Sequence, residues 1–374
     1  MDFNLSEREK MIQRTAREFA VKEVVARAAE IDRTAEFPKD VVRQMVKMGY
    51  FGLAYPPEYG GSGSGYVSYA LVIEQLARAS MTVGAIVAVS ILSQESLFRF
   101  GSEAQKKKFL VPLVEGNILG CFCFTEPATG SDPKAVVTKA RLDGGQYVVE
   151  GQKNFISMAA AASQGIVFAK DESKKVSAFV VPTSAAGFQL REPCETLGLR
   201  GFGACVIYLD SVRVPEGNLL GEKGGGYEIM LEAISVERVG VAAQAVGVAQ
   251  AALDLSVEYA GQRIAHEKPI ARMPTIQWLL AEMASRIEAG RWLAYRAAFL
   301  RDQGGSIRND SAVAKLFCSQ MAVEVTRMAM QVHGAYGTMK SLPVERLYRD
   351  AKMTEVYVGV SEIQRAIIAS HLLK

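Results

Sequence analysis

The chain has 374 residues and a mass of 40.6 kDa, enough for two or three domains and a sizeable core. Hydrophobic residues make up 49% and charged residues 22%, and 43 basic against 40 acidic side chains leave a net charge of +3. This is globular usage with no polyelectrolyte signal, so it excludes a disordered chain and points to neither nucleic acid nor an anionic membrane. Cysteines at 121, 123, 194, 205 and 318 are odd in number and lack paired metal spacing, and His266, His333 and His371 are the only histidines. A histidine-built metal site is therefore not expected, and a reducing compartment, the cytoplasm, is.

The first segment reads as helical. Ser6-Glu7-Arg8-Glu9 has the form of a capping box directly after Met1, with no leader pattern before it. Met11, Ile12, Thr15 and Phe19, then Val41, Val42, Met45 and Met48, follow at helical spacing, with a Pro/Gly break over residues 55–64. Residues 1–120 are assigned to an α-helical N-terminal domain.

From 121 to 222 the texture changes to short β-rich runs separated by turn chemistry. Asp143-Gly144-Gly145 lies between Ala140-Arg141 and Tyr147-Val148-Val149; Ile166-Val167-Phe168, Ala178-Phe179-Val180-Val181 and Val206-Ile207-Tyr208 follow. This is read as a central β domain, barrel-like in form. After Lys223-Gly224-Gly225-Gly226 long helical patterns return over residues 227–260 and 275–303, so 223–374 is read as a C-terminal helical bundle of four helices. The apolar stretch 239–253 is interrupted by Gln244 and Gln250 and is short for a span, so it is read as a packed helix.

Two places carry candidate chemistry. Phe124-Thr125-Glu126-Pro127-Ala128-Thr129-Gly130-Ser131-Asp132 follows the apolar Cys121-Phe122-Cys123, as a strand emptying into a loop of hydroxyls and free amides. Such a loop can aim the Thr125 and Ser131 hydroxyls and backbone N–H groups at a phosphate or at ring oxygens. Taken alone it reads more simply as a Pro/Gly turn with a local bond from Asp132. The second place is Glu237, whose helical neighbours at three and four residues are Ala233, Ile234, Gly240 and Val241. A carboxylate with no partner there sits either at a solvated edge or at the wall of a pocket, and in a pocket desolvation would raise its pKa into the range of a general base.

The 124–132 segment resembles the first signature of the acyl-CoA dehydrogenase family, and four later segments in the same order are similar to the family over nearly the whole chain. The family's usual base is a Glu in a C-terminal Tyr-Glu-Gly-Thr segment; here the matching stretch is Val356-Tyr357-Val358-Gly359-Val360-Ser361-Glu362, with Val358 at the base position. The isovaleryl-CoA and long-chain members instead carry the base on a helix at a Glu-Arg pair, which Glu237-Arg238 resembles. The resemblance thus implies Glu237 as base and Val358 as an oxyanion donor through its backbone N–H, which substitution of the side chain leaves intact.

The other site residues come from the same likeness. Gly151-Gln152-Lys153-Asn154-Phe155-Ile156-Ser157 resembles the strand whose aromatic ring and hydroxyl meet the flavin, which implies Phe155 and Ser157; a core aromatic is the alternative for Phe155. FAD contacts are likewise implied at Phe122, Cys123, Thr125, Gly130, Ser131, Val360 and Glu362. Arg263 falls where the family places a cation on the pyrophosphate, followed by a divergent Ile264-Ala265-His266-Glu267 in which His266 could stack on adenine or lie at the surface. Gln331-Val332-His333-Gly334-Ala335 resembles the segment that reaches the adenosine half of FAD from a neighbouring subunit, implying Gln331, Gly334 and Ala335. Ser131, Arg238 and Gly359 are implied substrate contacts. Residues 84–94 fall where the family borders the acyl tail and hold no charge, so the resemblance implies an acyl group other than a dicarboxylic one. The reading is an FAD-dependent acyl-CoA dehydrogenase, a homotetramer passing electrons to an electron-transfer flavoprotein. Alternatives are a reductive or non-oxidising relative, one subunit of a heteromeric enzyme, and a non-catalytic CoA-binding protein on the same fold.

Overall fold

The structure, a computed structural model, describes residues 4–373. The Ser6 capping box forms: the Ser6 Oγ accepts from the Glu9 N–H at 3.3 Å and the Glu9 carboxylate accepts from the Ser6 N–H at 2.7 Å. That cap starts α1 (Glu7–Phe19), which buries Ala16 and Phe19 and passes through one π-helical turn into α2 (Val25–Thr34). α3 (Lys39–Lys47), α4 (Gly65–Ala79), α5 (Met81–Phe100) and the short α6 (Glu103–Gln105) and α7 (Val111–Val114) complete this part. α5 is buried at every position from Met81 to Leu97, so its apolar face goes all the way round.

The sheet part comprises β1 (Gly120–Cys123), β2 (Lys139–Asp143), β3 (Gln146–Ile156), β4 (Gln164–Lys170), β5 (Val176–Pro182), β6 (Phe188–Pro193), β7 (Cys205–Pro215) and β8 (Leu219–Leu220). Their order is β6-β7-β3-β2-β4-β5-β8, with β1 joined in parallel to β4, Phe122 opposite Ile166. Gly144 (φ 58°) and Gly145 (φ 77°) turn β2 into β3 with both central residues left-handed, a conformation that glycine adopts without strain. The last part holds α8 (Gly226–Gln262), the two-residue strands β9 (Ile264–Ala265) and β10 (Lys268–Pro269), α9 (Pro274–Asp302), α10 (Arg308–His333), α11 (Val344–Val356) and α12 (Ser361–Leu372). α8 packs on α4, α5, α9, α10 and α11 and runs through the centre of the molecule. α5 and α8 are long and apolar enough to cross a membrane, and both are mostly enclosed by the fold. One core continues from the N-terminal helices into the bundle, and a separate one fills the sheet.

Candidate functional site

A cavity of about 880 Å³ opens where the sheet meets α8 and the turn after α11. Ten of the residues singled out in the sequence line it: Phe122, Thr125, Gly130, Ser131, Phe155, Ser157, Arg238, Val358, Gly359 and Val360. A larger groove, of about 1350 Å³, contains none of them; its wall includes arginine–carboxylate pairs such as Arg349 with Asp32 and Glu345.

The 124–132 loop keeps its shape through a buried ion pair that sequence reasoning missed. The Lys153 Nζ reaches the Glu126 Oε1 at 2.7 Å and also donates to the carbonyls of Phe168 at 2.6 Å and Phe124 at 3.2 Å. Glu126 in turn accepts from the N–H groups of Val137 at 2.6 Å and Thr138 at 3.1 Å, and both charged side chains are fully buried. Lys153 and these amides hold the Glu126 carboxyl below the usual carboxylate range despite its burial. Within the loop, Glu126 and Thr129 bond each other through their backbones, and Asp132 makes its local bond, accepting from the Lys134 N–H at 3.0 Å. Both the local turn and the open donors are therefore present. Among the described residues the hydroxyls of Thr125 and Ser131 and the N–H groups of Gly130 and Ser131 have no acceptor.

Phe155 stands at the end of β3 with φ 58° and is 65% exposed, which excludes the core-aromatic alternative. An aromatic face held outward in a left-handed conformation beside unpaired donors fits a planar, acceptor-rich group. Cys123 is fully buried beneath the cavity with its Sγ 3.5 Å from that of Cys121, so its side chain faces the sheet core.

Glu237 is fully buried on α8. Its Oε2 accepts from the Tyr69 hydroxyl at 3.3 Å, and its Oε1 has no partner. Burial drives its pKa well above the ordinary carboxylate value, with the Tyr69 bond as a smaller opposing influence. Gly240, one helical turn on, makes room for this contact: a β-carbon there would stand 2.5 Å from the Tyr69 hydroxyl. The solvated-edge alternative is excluded, but Glu237 does not itself line the cavity. Ile234 and Arg238 beside it on α8 do, as does Tyr357, whose hydroxyl feels the Glu237 charge and donates to the Gln244 Oε1 at 2.5 Å.

Arg238 is buried, and its Nε and Nη1 have no partner. Desolvation and the Arg308 guanidinium bring its pKa down to about 10. A buried unpaired guanidinium on a cavity wall calls for an anionic or carbonyl acceptor from a ligand. Lining the same cavity, Val358 (φ 55°) and Gly359 (φ 88°) are both left-handed, and the Val358 N–H has no acceptor among the described residues.

The remaining expected cofactor residues do not line this cavity. Arg263 caps α8 and its guanidinium sits 5.9 Å from the centroid of the Tyr336 ring, while Tyr259 stacks on His333 at 4.3 Å. Arg263 and the Gln331, Gly334, Ala335 segment are thus drawn into one patch at the far end of α8. His266 (φ 50°) and Glu267 (φ 63°) form the tip of the β9–β10 hairpin. Glu362 opens α12 at the surface, 3.8 Å from Arg365.

Against known proteins, the chain matches the family models for the N-terminal, middle and C-terminal domains of acyl-CoA dehydrogenase over residues 6–117, 121–212 and 224–373. It is 40% identical to the acryloyl-CoA reductase (NADH) of Anaerotignum propionicum over 380 aligned positions, covering 100% of this chain and 96% of the relative. Its structure superposes on butyryl-CoA dehydrogenase from Megasphaera elsdenii with a TM-score of 0.98 at 36% identity, covering 100% of both chains. It also superposes on a glutaryl-CoA dehydrogenase from Mycobacterium smegmatis in complex with FADH2, with a TM-score of 0.94 at 28% identity, covering 98% of this chain and 95% of the other.

Proposed function

The chain belongs to the acyl-CoA dehydrogenase family, and from that premise we propose that its cavity takes an acyl-CoA thioester between Glu237 and a flavin. FAD is the cofactor of this family fold, and when bound it supplies the acceptor for the hydride leaving the β carbon. Thr125, Gly130, Ser131, Phe155 and Ser157 of one chain would hold its ring and phosphate. Arg263, Gln331, Gly334 and Ala335 stand outside this cavity, so they would serve the FAD of a neighbouring copy. Such sharing of FAD between copies fits an oligomer, which the family likeness makes a homotetramer. Cysteines without a disulfide among them fit a reducing compartment such as the cytoplasm, and an electron-transfer flavoprotein would take the electrons.

In this reading Arg238 and Ser131 bind the thioester's polar arm, and the Val358 N–H donates to its carbonyl oxygen as charge develops there. Glu237 takes the α proton, the carboxylate opening onto the cavity as the acyl chain enters. The C–H bonds at the α and β carbons break and a double bond forms between them, giving a 2-enoyl-CoA. The observation that carries the reading is a buried, half-unpartnered carboxylate directly behind a cavity wall formed by its helical neighbours Ile234 and Arg238, with a free N–H at Val358 on the same cavity. Anaerobic titration of the purified flavoprotein with butanoyl-CoA and longer thioesters tests it: the flavin absorbance should bleach. A flavin that none of them bleaches would overturn the dehydrogenase reading.

One observation favours the reductive alternative. A carboxyl whose pKa is driven upward stays protonated further toward neutral pH, which suits an acid delivering a proton to the α carbon of an enoyl thioester. Reoxidation of the chemically reduced flavoprotein by a 2-enoyl-CoA, with no bleaching by the saturated thioester, would select this direction.

A further inference from the structure

Lys315 on α10 is fully buried. Its Nζ donates to the Gly359 carbonyl at 2.6 Å and to the Glu355 carbonyl at 3.3 Å, so one ammonium bridges the end of α11 and the turn that follows. Gln364, from the first turn of α12, adds a second donor to the Gly359 carbonyl at 2.9 Å. Val358 lies between these anchors and Gly359 is one of them; both are left-handed. A β-branched residue in that region is strained and persists only where its surroundings hold it. Lys315 is therefore placed to hold the turn in a conformation it would otherwise leave.

We propose that Lys315 is a positioning residue for the reaction: by clamping the Glu355 and Gly359 carbonyls it fixes the turn that aims the Val358 N–H into the cavity. It touches neither substrate nor cofactor and does not line the cavity; it acts through the backbone it holds. Burial and the Arg238 guanidinium lower its pKa to about 7, with Glu355 and Glu362 opposing. A cation kept at that cost is readily replaced by a neutral core residue unless its donors are needed.

The inference rests on Val358 as the oxyanion donor, and the test separates the two. The probe is acetoacetyl-CoA bound to the flavoprotein; its ionisation to the enolate depends on the donors at the carbonyl oxygen and needs no hydride transfer. The enolate absorbance is measured against pH in wild type, Lys315→Met and Lys315→Arg, alongside kcat and KM for butanoyl-CoA. Lys315→Met should raise the pKa of the bound ligand by about one unit, a tenfold loss of enolate stabilisation. It should lower kcat about tenfold while KM stays within threefold, and Lys315→Arg should recover part of both. An unchanged ligand pKa in Lys315→Met overturns this inference alone. A wild type that leaves the ligand no more acidic than in solution overturns the oxyanion assignment beneath it. If Lys315→Met does not fold, Gln364→Met decides: a smaller shift in the same direction supports the clamp, and none refutes it.

Discussion

Replacing Glu237 by Gln removes the candidate base while keeping shape and hydrogen-bonding capacity. In the folded chain the carboxylate has one long bond, 3.3 Å from the Tyr69 hydroxyl, and no water-exposed surface. Ionising it inside the fold is therefore costly, and the folded state binds its proton more tightly than the unfolded chain. Wherever the native state holds more protons, stability falls as pH rises, here by about 1.4 kcal/mol per pH unit between 4.5 and the raised pKa. The variant lacks this slope, so its stability advantage should be near zero around pH 4.5 and widen toward neutral pH. Its rate of flavin reduction by butanoyl-CoA should drop by at least about 100-fold, the ordinary contribution of a general base, with thioester affinity within a few-fold. Anaerobic stopped-flow at the flavin band and urea unfolding from pH 5 to 8 measure the two effects. A variant that reduces its flavin within a few-fold of wild type refutes the catalytic assignment, and a gap that narrows with rising pH refutes the electrostatic one.

Other positions give independent expectations. Lys153→Met leaves the Glu126 carboxylate buried with only two backbone donors, so the urea midpoint should shift by an amount equivalent to about 3 kcal/mol and flavin content should fall with it; unchanged values would mean the loop holds its shape without the pair. His266→Asn with Glu267→Gly puts residues suited to positive φ at both tip positions of the β9–β10 hairpin and should stabilise the chain by roughly 1 kcal/mol. Flavin occupancy in that variant is expected to be unchanged, and a fall would instead support adenine stacking by His266.

Local features were legible in the sequence because their causes are local. The Ser6 capping box, the Gly144-Gly145 hairpin and the long helices over 226–262 and 274–302 each depend on neighbours within a few residues. β6 gave no signal: five of its six residues, Gln189 to Pro193, are solvent-exposed, so it has no apolar alternation to read. The resemblance to the family brought Glu237, Arg238 and Val358 together, although they are far apart in sequence. What it left out are contacts between distant segments: Lys153 with Glu126, 27 residues apart, Lys315 with Gly359, 44 apart, and Tyr69 with Glu237, 168 apart. One of these had a usable sign. Lys315 has Ser311, Ala312, Cys318 and Ser319 at three and four residues, the same absence of a charged partner that drew attention to Glu237.

The burial of Glu237 also governs what happens to a hydrogen once it is taken. The carboxyl has no exposed surface, and its free oxygen is sealed within the fold. In the dehydrogenase reading, a proton moved from the α carbon to Glu237 meets no solvent with which to exchange while the acyl chain fills the cavity. If the reaction runs back, the carbon receives the same nucleus it gave up. A substrate carrying deuterium at that carbon would keep its label through many abortive cycles and lose it only on those that go through to product, so the isotope would count committed turnovers and ignore the rest.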